Sequence, residues 1–253
     1  MMKTSLVIPC TPNHFANNLF SVLKSYENGT VEPDEVIISL SQSPLLKNYK
    51  IDPEYLKYFS LCSKGKVFKK FKIISHKEKK THGPNRQAGS MESTGDVIIY
   101  GDADDLAHPQ RVEIIKYFFK NYDIVHLNHR WVGDIEKSKN FILKDIKYFS
   151  SNELHTRYFS KNGLKGCVDI SKSYGSDIMK CTLTGSFAIK KEVLKEIVWK
   201  DWQDLWAPAE DYEFCMETLY TFNKSILIDV PLIEYSNAGW MKELCKCEKK
   251  EIK

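Results

Sequence analysis

Four short apolar runs punctuate the first 125 residues: Ser5–Pro9 (SLVIP), Glu35–Leu40 (EVIISL), Phe71–Ser75 (FKIIS) and Val97–Tyr100 (VIIY), each followed by polar sequence. Runs this short and this uniformly apolar suit strands covered on both faces. Helical spacing separates them. Phe15, Leu19, Val22, Leu23 and Tyr26 fall on one face of a predicted helix. Pro53 opens another, carrying Leu56, Phe59 and Cys62, and Pro84–Thr94 forms a third that Gly95 is placed to end. Alternation of strand and helix predicts an α/β fold with a mostly parallel central sheet flanked by helices. In such sheets ligands bind beyond the carboxyl ends of the strands. The loops after Pro9, Leu40 and Tyr100 are therefore expected to meet at one crevice.

Beyond Tyr100, Pro109 suits a first helical turn, and Val112, Ile115 and Phe119 continue that helix. Asp123–Leu127 reads as a strand, Gly185–Lys190 as another, and Glu192–Trp199 as a helix. Pro208 begins a helix striped by Tyr212, Cys215, Met216, Leu219 and Phe222, and Ile226–Val230 is a late strand. Residues 128–180 are richer in lysine, serine and asparagine and read as an elaborated insert. No repeat or clean linker divides the chain, so one domain is expected over 1–253. Its first half is 1–125, its second half 126–240, and 241–253 is a charged tail.

Charge narrows the partners. Lysine and arginine number 37 against 33 acidic residues, a net charge of +4 that is too mild to imply nucleic acid. The excess is uneven: Lys64–Lys80 holds eight lysines and one glutamate. Such a run forms a solvated rim, or a patch that rests on anionic lipid headgroups. The seven cysteines are scattered without a CxxC pair, which argues against a zinc ribbon and for reduced thiols in a cytosol-like compartment. Cys245 and Cys247 lie in the charged tail. No apolar stretch approaches the ~18 residues of a bilayer span. The first residues, MMKTSLVIPCTPN, lack a secretory pattern. A cytoplasmic protein, peripheral to a membrane at most, is expected, and the Asn28-Gly29-Thr30 sequon is then a plain turn.

Three stretches carry candidate chemistry. In IIYGDADDLAHP, three aspartates follow a strand within four residues, Asp102, Asp104 and Asp105. Two unit charges about 4 Å apart repel by roughly 4 kcal/mol at an effective dielectric of 20, a cost that a divalent cation removes. Asp102 and Asp104 are two apart, so in extended chain they point the same way. Few oxygen ligands on the protein suit Mg²⁺ or Mn²⁺, with phosphates completing the shell. Alternatively the acids cap the helix near Pro109, a role that suits Asp105. A calcium loop counted from Asp102 fails, because Leu106 and Ala107 stand where oxygen and glycine are needed. A phosphatase of the haloacid dehalogenase type would want threonine at 106 and a later acidic pair.

In APAEDYEF, Ala207–Phe214, Glu210 and Asp211 fall in a first helical turn, where the macrodipole favours a carboxylate. They complement that charge, or one of them serves as general base toward a hydroxyl. Trp202 and Trp206 offer a flat wall for a sugar ring, or sit in the core. In GPNRQAG, Arg86 near the crevice is placed to contact phosphate or to hold a carboxylate.

In order and spacing, SLVIPCTPN, RQAG, TGDVIIYGDADDLAHPQRVE, LTGSFAIKKEVL and EDYEF resemble family 2 glycosyltransferases of the GT-A fold, the Rossmann-like fold of nucleotide-diphospho-sugar transferases. The resemblance covers about residues 4–235. It implies a nucleotide-sugar donor, a UDP-sugar first among them, and Mn²⁺ or Mg²⁺. By matched position Asp104 would bind the metal that bridges the diphosphate, and Asp102 would lie near ribose and metal. Asp211 would be the base that activates the acceptor hydroxyl, beside Glu210, with inversion at the sugar carbon. Pro9, Thr11, Asn13, Ser39, Ser41, Arg86 and Ala103 would surround the donor. Gly185, Ser186 and Trp206 would face the acceptor, a glycan, lipid-linked glycan or protein hydroxyl.

Two departures stand out. Where the family often carries DDGS after the second strand, this chain has Ser39-Leu40-Ser41-Gln42, and EYSNAGW, Glu234–Trp240, offers no histidine to complete a metal shell. A processive polysaccharide synthase is disfavoured by the absence of a QxxRW motif. A sugar-phosphate nucleotidyltransferase would want a glycine-rich basic loop where CTPNHFANN stands. A catalytically inactive glycan- or nucleotide-sugar-binding module is the alternative of a different class.

Overall fold

The computed structural model describes residues 2–131, 140–150, 187–201 and 210–235. The described strands join in one sheet. β1 (Thr4–Cys10), β2 (Glu35–Leu40), β3 (Phe71–Ser75) and β4 (Val97–Tyr100) pair in parallel, with β1 between β2 and β4. Beyond them are β5 (Leu106–Ala107), β6 (Ile124–Trp131), β7 (Tyr148–Ser150), β8 (Ala188–Lys190) and β9 (Ser225–Tyr235). The order is β3-β2-β1-β4-β8-β6-β9-β5, with β7 also on β9. β8 runs antiparallel to both β4 and β6, while β6 and β9 are parallel. The expected mostly parallel α/β sheet is therefore present, with antiparallel strands added in its second half.

Every residue of β1, β2 and β4 is buried, because both faces of these strands are covered. Side chains alternate, so Leu6, Ile8, Val36, Ile38, Val97 and Ile99 enter one apolar cluster, and Val7, Ile37 and Ile98 enter the other. The first is covered by α2 (Leu19–Glu27), α3 (Pro53–Ser63) and α5 (Arg111–Phe118) through Leu23, Phe59 and Ile115. The second is closed by Phe187, Trp199 and Phe214. Each such side chain, fully buried, contributes about 1.5–3 kcal/mol.

Several elements differ from the sequence expectation. The first predicted helix is two, α1 (Pro12–Asn17) and α2, broken at Asn18, whose backbone leaves the helical region at φ −121°. Phe15 and Leu19 stay buried on either side of the break. α4 spans His82–Met91, so it starts two residues before Pro84 and ends short of Gly95. Gly95 serves another purpose: its N–H donates to Ser5 Oγ at 2.9 Å, and a Cβ there would lie 2.6 Å from that oxygen. α5 begins at Arg111 behind Gln110, so Asp105 does not cap it. Asp105 is instead buried, and its charge is felt by Tyr26 and Arg111. Lys191–Lys195 is a 3₁₀ turn, and the helix expected to run to Trp199 does not form. Trp199 leaves it to stack on Phe214, ring centroids 4.1 Å apart, while its backbone N–H donates to Gln87 Oε1 at 3.2 Å.

Candidate active site

The site lies where the carboxyl ends of β1, β2 and β4 meet the start of α6 (Glu210–Thr221). Parallel pairing brings the loops together: Ser41 N donates to Cys10 O at 2.9 Å, and Gly101 N to Val7 O at 3.1 Å. The convergence of the three loops after β1, β2 and β4 is thus a direct result of register.

α4 crosses this end of the sheet with an unusual buried face: Gly83, Asn85, Arg86, Gly89 and Ser90. Gly89 permits the approach, since a Cβ there would stand 2.5 Å from Val7 Cγ1. On that face Arg86 is nearly closed off, with its side chain 4% exposed. One arm of its guanidinium, Nη2, donates to Asp102 Oδ1 at 2.6 Å, and Nη1 donates to Glu210 Oε1 at 2.8 Å. Its carbon lies 5.0 Å from the Trp199 ring, a cation–π contact. Burial alone would lower the Arg86 pKa, but the carboxylates of Asp102, Glu210 and Asp211 raise it, so the charge is kept. One side chain thus ties the acid at the end of β4 to the first turn of α6.

Glu210 has a second partner. His82 Nδ1, on the exposed first residue of α4, lies 3.5 Å from the same oxygen. Burial pushes Glu210 up, but His82 and Arg86 more than offset it and hold its pKa at about 2. His82 is raised in turn, chiefly by Glu210, against its own desolvation. Asp211 follows Glu210 in the first turn of α6, as the sequence predicts.

Asp104 faces α1, where His14 Nε2 lies 3.9 Å from its Oδ2. The Asp104 and Asp102 side chains are 18% and 23% exposed, so both acids reach the opening. Beneath them Cys10 is buried, and desolvation with the Asp104 charge pushes its thiol far up, leaving it protonated. Ala103, between the acids, is buried.

Of the other residues expected around a donor, Pro9 lies in β1 opposite Ser39, one residue before the strand ends. Thr11 caps α1, accepting from His14 N at 3.3 Å. Asn13 is exposed and its Oδ1 accepts from Asn17 at 2.9 Å. Ser39 Oγ donates to Asn85 Oδ1 at 2.6 Å and lies 3.0 Å from His76 Nε2. A hydroxyl has one proton, so His76 must donate to it from Nε2. Ser41 pins the segment after β3, exchanging bonds with the Lys80 backbone. Gly185, Ser186, Trp202 and Trp206, like Cys167, Cys181, Cys245 and Cys247, lie outside the described residues. His14, His76, His82, Asn85 and Trp199 were not singled out from sequence. Asn85 and His82 had a signal, flanking Arg86 in HGPNR; the others are isolated polar or aromatic residues until the sheet assembles.

A mostly parallel α/β sheet flanked by helices is the fold of the GT-A glycosyltransferases. The chain belongs to glycosyl transferase family 2, whose model matches residues 5–170. It is 25% identical, over 97% of its length and 75% of the relative's, to an uncharacterized glycosyltransferase of Methanocaldococcus jannaschii. Its fold matches TarS of S. aureus (residues 1–349) with TM-score 0.62 at 14% identity, covering 96% of this chain and 63% of that one. It thus spans under two thirds of that structure. TarS has also been solved with UDP-GlcNAc; that structure matches with TM-score 0.61 at 14% identity, over 92% of this chain and 58% of the other. Glucosyl-3-phosphoglycerate synthase from Mycobacterium tuberculosis, solved with Mn²⁺, UDP and glucosyl-3-phosphoglycerate, matches with TM-score 0.56 at 12% identity, over 96% of this chain and 75% of that one.

Proposed function

We propose that this protein transfers a single sugar from a uridine diphosphate donor to a hydroxyl acceptor, with inversion at the sugar carbon and with a divalent cation bound. The observation that carries this reading is the double engagement of Arg86 by Asp102 and Glu210, which fixes the donor-side acids against the start of α6.

Asp104 and Asp102 would hold the cation. They are oxygen donors that reach the opening, as a hard ion requires. No group of three His, Cys, Asp or Glu gathers there among the described residues, so phosphates and water would fill the other positions. Bound there, Mg²⁺ or Mn²⁺ supplies neutralisation of the charge that builds on the leaving diphosphate. Pro9, Thr11, Asn13, Ser39, Ser41, Arg86 and Ala103 form the donor side, with Arg86 acting through Asp102. Asp211 accepts the proton of the acceptor hydroxyl as its oxygen bonds to the sugar carbon and the nucleotide diphosphate departs. The α6 N-terminus and the Arg86 charge place positive potential beside that base. Glu210, occupied by Arg86 and His82, orients it. Gly185, Ser186 and Trp206 belong on the acceptor side, within a single domain spanning the chain.

The test is a thermal-shift screen of UDP and UDP-sugars, with and without Mn²⁺, followed by an assay of nucleotide release. A donor present at a hundred times its Kd should stabilise the protein by about 2.7 kcal/mol. No stabilisation by any nucleotide, together with no release, would sink the reading.

A further inference from the structure

The basic run of the sequence becomes a placed surface once the fold is known. Between Ser43 and Lys80 the chain carries eleven lysines and three acidic residues, whereas over the whole chain basic residues exceed acidic ones by only four. The remainder is therefore net acidic, and the positive charge is concentrated on one contiguous stretch. That stretch comprises the 3₁₀ turn Ser43–Asn48, α3, and the chain through and just beyond β3, the end strand of the described sheet. Of its lysines all but Lys80 are exposed.

Lysines alone would describe a solvated rim. The same surface also presents apolar side chains to solvent: Leu45 is 42% exposed, Tyr49 38% and Leu56 51%. They lie outside a layer that is already packed, since Leu46, Ile51 and Tyr55 cover the core, and Tyr55 stacks on Phe20 at 4.3 Å. Lys47, Lys50 and Lys57 alternate with them along the chain.

The location is functional. Ser43 N donates to His76 O at 2.8 Å and Gln42 N to Glu78 O at 3.1 Å, which ties the turn to the carboxyl end of β3. This is the end of the sheet at which the acids of β4 open. A soluble polyanion would match the lysines but would gain nothing from three exposed apolar side chains. An anionic bilayer matches both, because lysines meet headgroups while apolar side chains enter the interface.

We infer that the face built from Ser43–Asn48, the N-terminal half of α3 and Lys77–Lys80 docks on anionic lipid bilayers, holding the open end of the sheet toward the membrane. The test is flotation of the full chain with phosphatidylcholine vesicles, either pure or containing about a third phosphatidylglycerol. Binding should require the anionic lipid and weaken at least tenfold as salt rises from about 0.05 to 0.3 M. Combining Lys47→Ala, Lys50→Ala and Lys57→Ala should weaken it by about a hundredfold, at about fivefold per lysine. Leu45→Ser with Leu56→Ser should weaken it with the lysines intact. Absence of anionic-vesicle binding by the unaltered chain would overturn the inference. So would full competition by soluble polyphosphate with the Leu45→Ser/Leu56→Ser protein binding as before. Vesicle binding reads no sugar transfer, so its failure would leave the transferase reading where it stands.

Discussion

Arg86 Nη2 lies 2.6 Å from Asp102 Oδ1, and this buried ion pair joins α4 to the end of β4. The same guanidinium reaches Glu210 on α6, 124 residues along the chain. A buried cation with two carboxylates is costly to disrupt by halves, because each orphaned charge has lost its water. Arg86→Ala should therefore destabilise the protein by about 3–5 kcal/mol in urea unfolding. Arg86→Lys keeps the charge but loses the planar fork, and should fall between the two. Wild-type stability in Arg86→Ala would show that the pair is decoration.

Asp104 and Asp211 are predicted to matter for chemistry and not for folding. Asp104→Ala and Asp211→Asn should each abolish transfer while melting close to the parent temperature. Calorimetric titration with Mn²⁺ in the presence of UDP separates the two: the first variant should lose cation binding and the second should keep it. Full activity in either variant would remove that residue from its role.

His82 should titrate above its ordinary value near 6.5, because Glu210 favours its charged form. Its folded pKa is raised, so its contribution to stability is complete below about pH 6.5 and is lost as pH rises through the folded value. Glu210 has the opposite sign. Its contribution is present above the unfolded carboxylate range and is lost as pH falls toward about 2. Histidine NMR titration reads the first directly, and Glu210→Gln should return His82 to its ordinary range. An unchanged His82 titration in that variant would refute the coupling.

Gly89→Ala tests the seat of α4. The added carbon meets Val7 Cγ1 at 2.5 Å in a fully buried contact, and overpacking of this kind costs about 1–3 kcal/mol. Because Arg86 rides on the same helix, activity should fall along with the melting temperature. Val7→Ala in the same chain should recover part of both.

Much of this architecture was legible before folding was considered. β2 and β4 are where apolar runs without a polar face placed them, because strands buried on both sides leave an unbroken signature, and β3, half-exposed at the end of the described sheet, still showed as a short apolar run. Asp102, Asp104, Glu210 and Asp211 were readable because acids crowd together in sequence only where something compensates them. Other features depended on distant partners. Asn18 breaks a helix whose apolar spacing continues across it, and Trp199 abandons a helical turn for Phe214. Asp105 looked like a cap and is buried instead beside the environment of Tyr26 and Arg111. The Arg86–Glu210 contact had no local trace, since only the sheet brings those residues together.

The position of β8 bears on how the chain is made. Ala188–Lys190 fills the slot between β4 and β6, whose own residues are synthesised some sixty to ninety positions earlier. During translation the edge of β4 stays open, with its hydrogen-bonding groups unpaired, until about residue 190 has cleared the ribosome. An uncovered central strand is a template for pairing with other chains. A nascent or truncated chain ending near residue 125 would therefore be an aggregation-prone intermediate, and its solubility in the cell would depend on chaperone cover for that interval.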